Sequence, residues 1–141
     1  MKKKLVIVSG YFNPIHKGHL EYFEKAKLLG DELLVIVNSD LQRELKKSKK
    51  FQDENERLFI VKNFRLVDYA LIAVDIDRSV SKTLEQVFHN YNDQYHLIFA
   101  NGGDQTNSSI PEISKCVELG IELVDGLGDK IQSSSWLLGK V

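Results

Sequence analysis

The chain has 141 residues, of which 43% are hydrophobic and 28% charged, and its formal net charge is −1. That length supports a single domain (residues 1–141) with a core that needs no staples. The near-neutral balance excludes any global attraction to nucleic acid or an anionic membrane surface. Cys116 is the lone cysteine, so no internal disulfide can form, and a reducing, cytoplasmic setting is expected. No stretch approaches the roughly 18 apolar residues that span a bilayer. The basic start at residues 1–4 is followed by an apolar run too short for a signal peptide.

Residues 5–8 (Leu-Val-Ile-Val) form a β-branched apolar run that reads as a buried strand. It stops at Ser9-Gly10, a turn signal. A loop with Asn13, Pro14 and His16 follows, and a helical pattern runs from about Gly18 to Leu29 through Leu20, Phe23 and Ala26. Gly30 stands where a left-handed C-cap is expected. Residues 33–37 are a second apolar strand, ending at Asn38-Ser39-Asp40. Residues 41–52 are polar and basic, with Arg43, Lys46, Lys47, Lys49 and Lys50, and show no core face. They read as a mobile surface loop.

Asp53 and Glu56 have capping-box spacing ahead of a helix with Leu58, Val61 and Phe64 on its core face. Residues 69–74 are the third strand. Ser79 or Ser81 is expected to cap a helix whose Val80, Leu84, Val87, Phe88 and Tyr91 share one face. Residues 95–100 are the fourth strand, ending at Asn101-Gly102-Gly103-Asp104. Pro111 suits a first helical turn, with Ile113, Cys116 and Val117 facing the core and Gly120 as C-cap. Residues 121–124 are the fifth strand. A Gly-rich loop at 125–132 precedes a last helical turn or two at 133–138.

Continuous apolar strands separated by helices imply an α/β, Rossmann-like, doubly wound sheet of about five parallel strands, covered on both faces. Ligands bind such sheets at the carboxyl ends of the strands. The polar clusters all fall there. The first of them, residues 10–19, contains neither G-x-G-x-x-G nor G-x-x-x-x-G-K-[ST], so neither a dinucleotide turn nor a P-loop is present. A strand, a tight loop and a helix start make an anion site from free N–H groups and the helix dipole. Two histidines three apart at that spot, His16 and His19, point to phosphate chemistry. The bland alternative is that they are loop and cap residues. Cys116 reads as core packing, and Trp136 as a packing anchor or subunit contact.

With His16-Lys17-Gly18-His19 in place, the sequence resembles the H-x-G-H nucleotidyltransferase superfamily, the cytidylyltransferase-like group. That group includes glycerol-3-phosphate cytidylyltransferase, the ADP-heptose synthase adenylyltransferase domain, and nicotinamide mononucleotide and phosphopantetheine adenylyltransferases. Further motifs carry the likeness in order. Lys46 looks like the family's lysine on the mobile loop, and Arg57 like the arginine of the following helix. Gly103-Asp104 looks like its turn after strand four, and Gln132-Ser133-Ser134-Ser135 like its triphosphate-holding helix start. Phe12-Asn13 stands where many cytidylyltransferases have Phe-Asp. Gly128 stands where an arginine precedes the last motif.

The resemblance implies transfer of CMP or AMP from CTP or ATP to a small phosphorylated acceptor, with release of pyrophosphate. It implies catalytic roles for His16, His19 and Lys46. It implies nucleotide contacts from Gly10, Tyr11, Phe12, Gly18, Arg57, Gly103, Asp104, Gln132, Ser133 and Ser134, and an acceptor contact from Asp40. Mg²⁺ carried largely by the phosphates, no protein-held metal, and a homodimer are implied as well. An adenylyltransferase of the ADP-heptose or nicotinamide mononucleotide type is the alternative enzyme, and a non-catalytic nucleotide sensor the alternative from another class.

Overall fold

The fold was obtained as a computed structural model, which describes residues 2–102 and 112–127. The elements run β1 (Lys3–Gly10), α1 (Lys17–Lys27), β2 (Glu32–Val37), α2 (Asp40–Leu45), α3 (Glu54–Lys62), β3 (Tyr69–Ile72), α4 (Ser81–Tyr91), β4 (Tyr95–Gly102), α5 (Ile113–Leu119) and β5 (Glu122–Leu127). The five strands form one sheet in the order β3-β2-β1-β4-β5, and each pairing is parallel. The doubly wound α/β reading therefore holds. The chain winds outward from β1 to β3, then crosses back to β4. The crevice between the carboxyl ends of β1 and β4 is the switch point, where ligands bind in such sheets.

Period-two alternation decides which helix goes where. Leu5 and Ile7 of β1 join Leu34, Ile36, Leu97 and Phe99 on one face, under Leu84 and Val87 of α4 and Cys116 of α5. Val6 and Val8 join Leu33, Val35 and Val37 on the other, under Phe23 and Ala26 of α1 and Val61 of α3. Full burial of one such large apolar side chain contributes about 1.5–3 kcal/mol, so Phe23 and Leu84, both completely buried, suffice to fix the seats of α1 and α4. Cys116 is core, as expected, and burial, followed by the nearby Glu112 charge, pushes its thiol up to about 12.

Several local expectations need correction. Residues 41–52 are not wholly loop, because α2 occupies Asp40–Leu45. Its Ser39 hydroxyl accepts the Gln42 N–H, and the Gln42 side chain accepts the Ser39 N–H in return. The helix buries Gln42 and Arg43, polar residues that leave no apolar period to read. Gly30 is not a left-handed cap; Leu28 closes α1 in a right-handed conformation. Gly30 is small because β1 passes close by: a Cβ there would lie 2.9 Å from the Lys4 carbonyl oxygen. Gly120 does adopt the left-handed conformation, at φ 76°.

The N-cap of α4 is Val80, which makes no side-chain cap bond; the Ser79 hydroxyl accepts the Ser81 N–H, at 3.3 Å, and the next two N–H groups need another acceptor. Asp75 does that work from the preceding loop, accepting the Lys82 and Thr83 N–H groups at 2.7 and 3.1 Å. Val117 faces solvent rather than the core. Asp53 caps α3 by accepting the Glu56 N–H, but the Glu56 side chain pairs with Gln52 instead of closing the box. Pro111, Trp136 and the segment 133–138 lie outside the described residues.

Candidate active site

The first turn of α1 is capped by imidazoles. His16, with extended φ/ψ of −145° and −178°, is the N-cap. Its Nδ1 accepts the Gly18 N–H at 3.1 Å. The His16 N–H in turn donates to Nδ1 of His19 at 3.0 Å. This reciprocal arrangement has the logic of a Ser-x-x-Glu box built from two histidines. The cap reading and the chemical reading of the pair are thus compatible.

An imidazole nitrogen that accepts a hydrogen bond carries no proton, so in a neutral ring the proton sits on the other nitrogen. Both rings are therefore held as Nε2–H tautomers, with those donors left over. The ring centroids are 4.0 Å apart. Burial, and then the electrostatic effect of the neighbouring His16, push the His19 pKa down to about 4. The edge-on Phe12 ring, 5.0 Å from His19 by centroid, supplies part of that apolar cover. His19 at neutral pH is consequently an uncharged donor. The α1 first turn holds no acidic side chain, so nothing there offsets the positive end of the helix dipole.

The loop that delivers this turn is shaped by Gly10 and Phe12. Phe12 is buried and has φ 51°. A Cβ on Gly10 would come within 2.7 Å of the Phe12 ring. The space beside Gly10 is thus filled by the Phe12 ring.

Arg57 is turned inward. It is 1% exposed. Its Nη1 donates to the carbonyls of Tyr11 and Asn38 at 2.8 and 2.7 Å, its Nε to the Gln52 carbonyl at 3.1 Å, and its Nη2 to Asp40 Oδ1 at 2.8 Å. One guanidinium thus ties together the carboxyl ends of β1 and β2, the start of α2 and the approach to α3. Asp40, expected at the acceptor, is also held within this knot, and it accepts the Glu54 N–H. Burial pushes its carboxyl up, but the Glu54 N–H and the Arg57 guanidinium outweigh that, and its pKa lies below the usual value.

Lys46 ends α2 with its Nζ 4.3 Å from the centroid of the Tyr11 ring. The lysine and the tyrosine are brought together at the carboxyl edge, as sequence order alone could not show. Asn13 secures the rest of the basic segment. Its Oδ1 accepts the Phe51 and Gln52 N–H groups at 3.2 and 3.0 Å, and its Nδ2 donates to the Lys49 carbonyl at 2.9 Å. Gln42, fully buried, donates to the Asp77 and Ser79 carbonyls at 2.8 and 2.7 Å. The sequence showed Asn13 only as a loop residue following Phe12, and Gln42 not at all, because an amide that bonds distant backbone leaves no local pattern. Gly103, Asp104, Gln132, Ser133 and Ser134 lie outside the described residues. Asn101, just before them, is buried.

The sequence model of the cytidylyltransferase-like family matches residues 7–136. The chain belongs to the cytidylyltransferase-like family. The bifunctional protein HldE of Pelobacter propionicus is 31% identical over 140 residues, which cover 98% of this chain and 25% of HldE. HldE of Helicobacter acinonychis is 41% identical over 73 residues, 50% of this chain and 16% of that protein. The chain thus spans about a quarter or less of these relatives. Among solved structures, a lipopolysaccharide core biosynthesis protein from Thermoplasma volcanium superposes with a TM-score of 0.67 at 27% identity, covering 88% of this chain and 94% of that one. A bifunctional NMN adenylyltransferase/ADP ribose pyrophosphatase from Francisella tularensis, complexed with AMP and a Mn ion, has a TM-score of 0.60 at 14% identity, covering 87% of this chain and 36% of its own. The last likeness concerns the fold alone.

Proposed function

We propose that this cytidylyltransferase-like chain is a nucleotidyltransferase that moves AMP or CMP from ATP or CTP onto a small phosphorylated acceptor. The observation that carries the reading is the His16–His19 pair, locked as two Nε2–H donors at the start of α1. An acceptor phosphate monoester is largely dianionic near neutral pH, since its second pKa is about 6, and so needs no general base. One of its oxygens attacks the α-phosphorus. The bond from that phosphorus to the bridging oxygen of the β-phosphate breaks, and pyrophosphate leaves with that electron pair. Catalysis is then positioning plus stabilisation of charge on the phosphoryl oxygens.

In this reading His16 and His19 donate to α- and β-phosphate oxygens. Being uncharged, His19 gives a hydrogen bond without proton transfer. Gly18 and the loop 10–12 shape the approach, and Lys46 attracts the leaving pyrophosphate as a point charge. Arg57 and Asp40 act by holding the ends of β1 and β2 in place rather than by touching substrate. Gly103, Asp104, Gln132, Ser133 and Ser134 keep their proposed nucleotide contacts from the motif match. No cluster of three His, Cys, Asp or Glu side chains fit to hold a metal occurs among the described residues. Mg²⁺ fits as part of the substrate, on the hard oxygens of the triphosphate, where it would neutralise charge.

The likeness to a lipopolysaccharide core biosynthesis protein favours a cell-envelope precursor as acceptor, and that to HldE favours the ADP-heptose type of adenylyl transfer over CMP transfer. A homodimer in the cytoplasm, formed by a single 1–141 domain, completes the proposal. The test is pyrophosphate release from ATP and from CTP with a panel of sugar, polyol and aminoalcohol phosphates. Nucleotide binding without release for any acceptor would establish the sensor reading instead.

A further inference from the structure

Most buried polar side chains under the carboxyl edge hold one another or the backbone. Asp75 caps α4. Glu112 accepts the Val80 N–H at 2.8 Å. The Asn38 amide donates to Gln42 at 2.9 Å, and Gln42 donates to the Asp77 and Ser79 carbonyls. Two buried side-chain N–H donors lack a partner among the described residues. One is Arg43 Nε, which faces Asp40 at 4.0 Å. The other is Nδ2 of Asn101, a residue only 6% exposed. A buried amide donor with no acceptor has given up its water and received nothing in return. Such a group in a folded protein calls for an explanation.

Asn101 stands at the switch point. The register pairs Ile7 of β1 with Phe99 of β4, so two residues on Asn101 comes level with Ser9, just before the loop that delivers the histidines. Tyr22, three residues after His19 on α1, donates its hydroxyl to the Ala100 carbonyl at 2.8 Å. The histidine turn is thereby fastened to the backbone next to Asn101. The two approach from opposite faces of the sheet. Ala100 and Ile98 lie on the face that α1 covers. Alternation puts Asn101 with Leu97 and Phe99, on the face of α4 and α5. A group lying across the ends of β1 and β4 is met by imidazoles from one side and by this amide from the other.

We infer that Asn101 is a further catalytic residue, donating through Nδ2 to one non-bridging oxygen of the α-phosphoryl group while the histidines hold the other side. The inference rests on the nucleotidyl-transfer reading above. The two non-bridging oxygens of that group diverge, so donors on α1 serve one of them, and charge is spread over both during transfer. An uncharged amide suits the second. It adds no fixed positive charge to attract the incoming nucleotide, a task that the helix start and Lys46 already perform. Its bond therefore counts most when charge peaks in the transition state. Burial fixes the donor before substrate arrives, so nothing has to reorganise at the moment of reaction.

The test compares N101A, N101L and N101D with the wild type in two measurements: pyrophosphate release from ATP and from CTP with the acceptor panel, and urea unfolding of the ligand-free protein. N101A lowers kcat by about 10²–10³, the effect of losing one preorganised donor, and leaves nucleotide KM unchanged. N101D is slower still, because it sets a carboxylate against the phosphate. The urea midpoints of N101A and N101L stand at or above that of the wild type, since no hydrogen bond is lost and a stranded donor is removed. A side chain that only packs would lower both midpoints and spare kcat. Turnover in N101A within about tenfold of an active wild type overturns the assignment. So does a raised nucleotide KM at unchanged kcat, which would put the amide on the base or ribose. Midpoints that fall in both N101A and N101L overturn it too, by showing that Nδ2 already has a partner in the free protein. A wild type that releases no pyrophosphate from either nucleotide sinks the transfer reading itself, and the role of Asn101 goes with it.

Discussion

The His16 backbone N–H donates to Nδ1 of His19 at 3.0 Å, so one hydrogen bond both caps a helix and fixes a tautomer. His19→Ala removes both effects. Loss of one preorganised donor to a reacting oxyanion costs about 10²–10³ in rate, and loss of a cap about 1 kcal/mol of stability. The expected result is near-abolished pyrophosphate release, with far-UV circular dichroism unchanged and a melting temperature lower by a few degrees. Turnover within tenfold of wild type would remove His19 from the chemistry.

The same pair gives a pH signature. His19 has its folded pKa pushed down to about 4, against about 6.5 in an unfolded chain. Between those values the unfolded state binds a proton that the folded state refuses, so stability is full above about 6.5 and is lost as pH falls toward 4. Denaturant titrations across that window should show the slope, and His19→Asn should flatten it. In ¹H–¹⁵N spectra the His19 ring should stay in one neutral tautomer from pH 8 down to about 5. A midpoint near 6.5 would contradict the burial argument.

Arg57 should matter to folding before it matters to turnover. Removing it strands the carbonyls of Tyr11, Asn38 and Gln52 and the Asp40 carboxylate. Breaking a buried, charged network by deleting one partner costs about 3–5 kcal/mol. Arg57→Ala is expected to lower the urea midpoint by that equivalent. Arg57→Lys should recover little, because an ammonium cannot span four acceptors with a fork's geometry. A variant with wild-type stability and raised nucleotide KM would return Arg57 to the nucleotide.

The sheet and the histidine turn were legible in sequence because they depend on local pattern. Runs such as 5–8 and 33–37 are long, apolar and bounded by turn residues. His16 and His19 lie within one helical turn of each other, so spacing alone predicts their contact. What sequence hid was polar and long-range. The helix at α2 is held by buried Gln42 and Arg43, and amphipathic periodicity is blind to such a face. Arg57 and Asp40 looked like surface chemistry, yet 17 positions apart they form one partly buried bond. Gly10 and Gly30 advertised backbone freedom, whereas both are small because a neighbour presses on them.

Asn13 makes a similar long-range bond, and its amide is needed as both donor and acceptor. Asn13→Asp keeps the oxygen that receives the Phe51 and Gln52 N–H groups but loses the donor to the Lys49 carbonyl. It also sets a carboxylate against that carbonyl. The substitution should free residues 46–50 more than residues 51–52. Hydrogen exchange should therefore quicken selectively at Lys49 and Lys50, and kcat should fall about tenfold as Lys46 loses its station, roughly the effect of a 1.4 kcal/mol misplacement. Uniform exchange across 46–52 would mean that the Asn13 donor is not the latch.

Gly10 offers a test of how the loop is built that needs no substrate. An added Cβ would meet the Phe12 ring at 2.7 Å, and that ring is buried between His19 and Phe23. Gly10→Ala must therefore push Phe12 out of its seat, at about 1–3 kcal/mol for an overpacked site. Phe12→Leu alone should also destabilise, since it gives up aromatic contact with both neighbours. In the double variant the smaller leucine makes room for the new methyl, so the two losses should not add. A thermodynamic cycle from urea unfolding should give a favourable coupling of about 0.5–3 kcal/mol, the range for residues in contact. Strict additivity would show that Gly10 is small for some reason other than the ring, and clearance for a phosphate would then be the better account of it.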